Sequence, residues 1–160
     1  MTKVFISHKR EDSNQAEKLA RVLRLNKIEF YLDVLDPHLL SNGDELTRHL
    51  REKLNECTHL IALLSFATRF SWWVPFEIGL ATEKEYPISS YITSAVLSDI
   101  PDYLRKWPVL LNETDLNKYI SLLKRDKHIL LYEESNMTTF NKPKSYAEAF
   151  HKRMKAQLNQ

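Results

Sequence analysis

Short apolar segments alternate with amphipathic helical patterns along the chain. Runs rich in β-branched and aromatic residues predict five strands, at residues 3–7, 28–33, 59–66, 89–97 and 128–132. Apolar residues spaced three and four positions apart predict five helices, over residues 12–25, 44–56, 71–85, 114–126 and 145–158. Turn-forming residues predict a loop over 34–43, and Pro108 ends a short helix or turn predicted within 100–111.

The order of these elements predicts an α/β fold. Strands that alternate with helices indicate a parallel sheet with helices on both faces. Residues 59–66 are almost continuously apolar, as expected of a central strand that is covered on both sides. The 160 residues fit a single domain, over residues 1–160. Ligands of open sheets bind at the carboxyl ends of the strands, where we expect residues 7–12, 33–43 and 65–77 to converge.

The composition argues against several classes of function. With 23 basic and 21 acidic residues the formal net charge is +2, which gives no broad basic surface for nucleic acid. The two glycines form neither a GxGxxG motif nor a P-loop, which argues against a Rossmann dehydrogenase or a P-loop NTPase. The six histidines show no ligand-like spacing with acids or cysteine, so we expect no metal site.

The sequence also bears on the compartment in which the chain folds. Its single cysteine, Cys57, allows no disulfide framework and indicates a reducing compartment. No apolar run approaches the roughly 18 residues of a membrane span, and the N-terminal residues lack the apolar region of a signal peptide. We therefore expect a soluble, cytoplasmic protein that does not contact membranes.

One acidic residue stands in the apolar stretch FSWWVPFEIGLA, residues 70–81. Burying a carboxylate without compensation costs roughly several kcal/mol, so Glu77 must be hydrogen-bonded, be paired or face a cavity. Pro75 is tolerated only near a helix start, which places that start near Ser71. Trp73 lies four residues before Glu77 and therefore on the same helix face, which predicts a pocket wall. The structural alternative is an ion pair between this carboxylate and one of three basic residues, Arg10, Arg69 or Lys84.

Three regions taken together resemble the TIR domain family. The first is VFISHKRED, a strand that ends in serine and is soon followed by an acid. The second is FYLD, which precedes a long loop containing Gly43. The third is the pattern S-x5-S-x-W-x3-E, formed by Ser65, Ser71, Trp73 and Glu77.

The resemblance covers about residues 3–132 and implies a flavodoxin-like fold with the strand order 2-1-3-4-5. The segment PDYLRKWPVLL further resembles bacterial stand-alone members, such as the TIR proteins of Thoeris-type anti-phage signalling. Many TIR domains cleave NAD at the nicotinamide–ribose bond, and the glutamate of W-x3-E is their catalytic residue. The resemblance therefore assigns this role to Glu77, with NAD as substrate and no cofactor.

The expected reaction suits a single acid in an aromatic setting. Loss of nicotinamide leaves an oxocarbenium-like ribosyl cation, which a nearby carboxylate stabilises. No general acid is required, because nicotinamide departs as a neutral molecule. The product is free ADP-ribose, a cyclic isomer or ADP-ribose joined to an acceptor. We expect a cyclic or linked signal that acts on a separate effector protein, in preference to simple depletion of NAD.

The resemblance also implies substrate-binding residues, namely Phe5, Ser7, His8, Arg10, Asp33, Ser71 and Trp73. The first three are expected to line the end of the first strand, and Lys9 or Arg10 to meet the pyrophosphate. Simpler roles stay open for several of them. His8, taken alone, is more often a surface or capping residue. Asp33 is equally interpreted as a cap or turn residue, and Ser71 as shaping the turn before the helix.

Two other functions stay open. A non-catalytic TIR adaptor would assemble through the loop 34–43, where Leu39 and Leu40 are apolar candidates for TIR–TIR self-association. A nucleoside 2-deoxyribosyltransferase shares the architecture and attacks a ribosyl carbon with a glutamate, but its motifs occur in a different order. The presence of Trp73 and Glu77 favours the NAD-consuming enzyme.

Overall fold

The computed structural model describes residues 2–32, 43–93, 100–125 and 145–160. Their five strands form one parallel sheet in the order β2-β1-β3-β4-β5, which confirms the predicted α/β fold and strand order. The strands are β1 (Lys3–Ser7), β2 (Glu29–Leu32), β3 (His59–Leu64), β4 (Ile88–Ile92) and β5 (Val109–Leu110).

Five described α-helices cover the two faces of this sheet. They are α1 (Ser13–Leu25), α2 (Gly43–Asn55), α3 (Trp73–Glu83), α4 (Glu113–Leu123) and α5 (Tyr146–Leu158). Three short 3-10 helices precede α1, α3 and β5, at Arg10–Asp12, Ala67–Phe70 and Asp102–Lys106. Within the described ranges, no helix has the length and apolar character needed to cross a membrane.

Alternating side chains of the central strands divide the core into two halves. Val4 and Ile6 of β1 pack with the buried faces of α1, α4 and α5. Phe5, between them, points to the other side and packs with the buried residues of α2 and α3. All six residues of β3 are buried, as its continuous apolar sequence predicts for a strand covered on both faces.

The edge of the sheet beside β4 differs from the prediction. Val109 and Leu110 pair with Ser90 and Tyr91, so β5 lies within the segment predicted as a short helix or turn. Part of that prediction is confirmed, because the 3-10 helix Asp102–Lys106 comes first. Pro108 then precedes β5, where a missing N–H costs no ladder hydrogen bond, and its carbonyl accepts from the Ser90 N–H at 2.9 Å.

Several predicted elements fall outside the described residues. The strand predicted at 128–132 is among them. So is the loop predicted over 34–43, apart from Gly43, which begins α2. The roles predicted for Asp33, Leu39 and Leu40 therefore stay predictions.

Candidate active site

The carboxylate of Glu77 lies at the carboxyl end of β1. Ser7, the last residue of β1, donates its hydroxyl hydrogen to Oε2 of Glu77. Both side chains are 0% exposed. Hydrogen bonds to a charged group are about twice as strong as neutral ones, so Ser7 is suited to fixing the orientation of this acid.

Local sequence explains how α3 delivers Glu77 to this position. The Ser71 hydroxyl accepts from the backbone N–H groups of Trp73 and Val74, each at 3.2 Å, and so satisfies two donors at the helix start. Pro75 is the third residue of α3, where a missing N–H is tolerated. Helical spacing then turns Glu77 inward, together with Val74, Ile78 and Ala81.

Glu77 has no exposed surface in this structure. One described cavity, of about 490 Å³, lies at the starts of β3 and β4, and another, of about 340 Å³, lies between α1 and α4. Glu77 lines neither of them. The carboxylate of Glu77 is therefore closed to solvent in this structure. Lys84, one of the bases considered as its ion-pair partner, donates to Oδ1 of Asn55 instead.

A second buried carboxylate, not predicted as a site residue, lies at the same end of the sheet. Asp12 is 8% exposed, and its Oδ2 accepts hydrogen bonds from Ser65 Oγ at 2.6 Å and from Thr68 Oγ1 at 3.4 Å. This group connects the segment after β1 to the segment after β3. An aspartate directly before a helix commonly caps it, but the side chain of Asp12 makes no capping hydrogen bond at α1.

Three other predicted substrate-binding residues, His8, Arg10 and Trp73, differ in their exposure to solvent. His8 is buried beside Ser7, and its Nε2 lies 3.5 Å from the Ser13 hydroxyl. Arg10 is exposed one turn further on, and Trp73 is half-buried at the start of α3. These residues lie at the same end of the sheet as Glu77.

Phe5, predicted to line the end of the first strand, lies in the core. Its ring is 0% exposed and packs against Tyr31, with ring centroids 5.3 Å apart. The alternation of side chains along β1 directs Phe5 into the core beneath α2 and α3. In this structure Phe5 supports the strand that carries Ser7, and its contact with substrate stays a prediction.

Exposed aromatic residues, here called the aromatic rim, lie in the segment before α3 and in its first turns. Trp72 is 93% exposed, Phe70 is 68%, Phe66 is 59% and Phe76 is 39%. The signal for this rim is present in the sequence, because α3 and the residues before it are apolar on both helix faces. Adjacent tryptophans on a helix cannot both point inward, and Trp72 is the one that points out.

Metal chemistry has no visible support in the described part of the chain. Among these residues, no three or more histidine, cysteine, aspartate or glutamate side chains are grouped so as to hold a metal ion. Cys57 is buried, and burial raises the pKa of its thiol to about 11, so it remains a protonated core residue.

Comparison with known proteins identifies the family. A family model described as "TIR domain" matches residues 4–131, so the chain belongs to the TIR domain family. No curated protein matches the chain.

Solved structures with similar folds include two of low sequence identity. The TIR domains of the activated Roq1 resistosome, which directly recognises the pathogen effector XopQ, align over 96% of this chain and 84% of that chain, with a TM-score of 0.50 and 18% identity. The Clostridium botulinum CMP N-glycosidase BcmB aligns over 76% of this chain and 99% of that chain, with a TM-score of 0.49 and 15% identity. The resistosome alignment agrees with the TIR fold.

Proposed function

We propose that this protein is an NAD-consuming enzyme that cleaves the nicotinamide–ribose bond, with Glu77 as its catalytic residue. The observation that carries the proposal is the placement of Glu77. It is a fully buried carboxylate on α3, hydrogen-bonded by Ser7 at the carboxyl end of β1, where open α/β sheets bind ligands. The match of the chain to the TIR domain supports the same assignment.

The reaction follows from the charge that develops on the substrate. As neutral nicotinamide leaves, positive charge spreads over C1 and the ring oxygen of the ribose, and the Glu77 carboxylate stabilises it. Ser7 holds one carboxylate oxygen, so the acid does not have to reorient as the bond breaks. Attack by water at C1 gives ADP-ribose and a proton. Attack by an atom of the same substrate gives a cyclic product, and attack by another acceptor gives a conjugate.

The closed state of the site implies control of activity. Because Glu77 has no exposed surface, catalysis requires an opening of the residues around it. We infer that TIR–TIR self-association or a partner provides this opening. A cytoplasmic enzyme producing a cyclic or linked ADP-ribose signal for a separate effector, as in Thoeris-type anti-phage defence, suits such a switch.

The test is NAD turnover by the purified chain at several protein concentrations, with products separated by chromatography. Glu77→Gln removes the charge at almost constant shape and is expected to lower nicotinamide release by about 10²–10³-fold. The matched control is Glu83→Gln, an exposed acid at the end of the same helix, which is expected to leave turnover unchanged. Equal turnover by wild type and Glu77→Gln contradicts the proposed role.

A second candidate function is a non-catalytic TIR adaptor. The observation in its favour is the exposed aromatic rim around Trp72 and Phe70, a surface suited to protein contact, outside an acid that solvent does not reach. Intact NAD at every protein concentration, together with self-association measured by light scattering, would support the adaptor. Release of free base from deoxynucleosides tested in parallel would instead support a nucleoside 2-deoxyribosyltransferase.

A further inference from the structure

Asp12 occupies an unusual position for an acid beside a helix start. It is the last residue of the 3-10 helix Arg10–Asp12 and directly precedes α1, where an aspartate commonly accepts hydrogen bonds from the first backbone N–H groups. Here the side chain makes no such bond. Its Oδ2 accepts instead from Ser65, which lies 53 residues away in the sequence, at 2.6 Å.

The hydroxyl groups that Asp12 holds in turn organise the segment before α3. The Ser65 hydroxyl oxygen accepts from the backbone N–H groups of Ala67 and Thr68, at 3.1 and 3.3 Å. The Thr68 hydroxyl oxygen accepts from the Ser65 N–H at 3.0 Å and lies 3.4 Å from the Asp12 carboxylate. This segment leads into Ser71, which fixes the start of α3.

We propose that Asp12 is a positioning residue that holds residues 65–73, which carry most of the aromatic rim and lead into the helix of Glu77, in place for substrate binding. This inference rests on the proposed function. A charged acceptor makes the tie stronger than a neutral one would, and its burial keeps water from competing for the Ser65 hydroxyl. Asp12 does not contact Glu77 through any of these bonds, whereas Ser7 does. The two residues therefore act on different steps.

Because Asp12 and Ser7 act on different steps, we expect their substitutions to change different kinetic constants. Asp12→Ala is expected to raise the KM for NAD about tenfold and to change kcat by less than about threefold, because the rim that receives the substrate becomes mobile. Ser7→Ala is expected to lower kcat about tenfold with little change in KM, because it disturbs the acid itself. Asp12→Asn keeps an oxygen acceptor for Ser65 and is expected to restore KM to within about threefold of wild type. If Asp12→Ala fails to fold, Ser65→Ala replaces it and is expected to give the same rise in KM.

Hydrogen exchange at the backbone amides of residues 66–73 tests the hydrogen bond between Ser65 and Asp12 without any enzymatic assay. Asp12→Ala is expected to accelerate this exchange about tenfold or more. The matched control is Asp115→Ala, which removes another helix-start aspartate, one whose Oδ2 accepts from the Leu111 N–H at 3.0 Å. This control is expected to leave exchange at residues 66–73 and KM unchanged.

The outcomes separate the two proposals. If wild type releases no nicotinamide at any protein concentration but Asp12→Ala accelerates exchange at residues 66–73, the proposed function loses its support while the role of Asp12 in holding residues 65–73 stands. If wild type is active and Asp12→Ala leaves both exchange and KM unchanged, the positioning role is overturned and the proposed function stands. A fall in kcat at constant KM would likewise overturn it.

Discussion

Polar side chains at the starts of β4 and β5 and at the ends of β1 and β3 have different hydrogen-bond partners. At the starts of β4 and β5 they bond to backbone groups. His151 of α5 accepts the Ile88 N–H at Nε2, at 2.8 Å. The side-chain amide of Gln160 bonds both backbone groups of Val109, at 3.0 and 2.6 Å. These side chains extend the hydrogen bonding of β4 and β5 and attach the C-terminal helix segment to the sheet.

At the strand ends the buried acids accept from hydroxyl side chains. Glu77 accepts from Ser7, and Asp12 accepts from Ser65. A hydrogen bond to backbone needs only a donor or acceptor of suitable reach, whereas these pairs hold a carboxylate of defined orientation. The comparison teaches that one end of the sheet is built to hold the fold together and the other to hold charge in place. Changes at the two ends should therefore be seen in different measurements.

At the strand starts, the largest loss of stability is expected when the pH is lowered. Burial, and after it the charges of Lys106 and Lys155, lower the pKa of His151 from 6.5 to about 4, although the contacts with Ile88 and Glu148 act in the opposite direction. Between these two pKa values the unfolded chain binds a proton that the folded chain does not. Stability from His151 is therefore complete above pH 6.5 and falls by at most about 3 kcal/mol as the pH drops to about 4.

Urea unfolding between pH 7 and pH 4 measures this loss. The control is His151→Gln, whose side-chain oxygen can accept the Ile88 N–H but does not titrate, so its stability should depend less on pH over this range. Identical pH dependence of the two proteins would show that His151 does not link the C-terminal helix to the acid sensitivity of the fold.

A smaller effect is expected at Gln160. Gln160→Ala removes two hydrogen bonds to Val109 and is expected to lower the free energy of unfolding by about 1–2 kcal/mol. Gln157→Ala, three residues earlier, is the control and should cost less. Nicotinamide release per folded molecule should be unchanged in both variants. A loss of turnover in Gln160→Ala without a loss of stability would break the division between the two ends of the sheet.

The sequence predicts those parts of the structure that depend on local patterns of residues. Alternating strands and helices predict the parallel sheet, and the spacing of Ser71, Trp73 and Pro75 predicts where α3 begins and that Glu77 points inward. β5 is missed because two residues, Val109 and Leu110, are too few to form a periodic pattern.

Local patterns also do not predict contacts between segments that are far apart in the sequence. The bond from Ser65 to Asp12 joins residues far apart in the sequence, and only the pairing of β1 with β3 brings them together. At Asp12 the local rule favours a helix cap, and the tertiary contact prevails because Ser65 offers a hydroxyl to the carboxylate. Phe5 shows where local alternation does suffice: its position on β1, between Val4 and Ile6, puts the ring in the half of the core beneath α2 and α3.

The smallest stability effect is expected at the aromatic rim, at Trp72. Its side chain is 93% exposed, so Trp72→Ala should change the free energy of unfolding by no more than about 0.5 kcal/mol. Trp107 is 7% exposed in the core, and Trp107→Ala should cost about 3–5 kcal/mol, which calibrates the measurement. Urea unfolding followed by far-ultraviolet circular dichroism suits both variants, because each removes a fluorophore. If Trp72→Ala loses more than about 1 kcal/mol, the rim contributes to the fold as a core residue does. The strand ends would then share the structural role assigned to the strand starts.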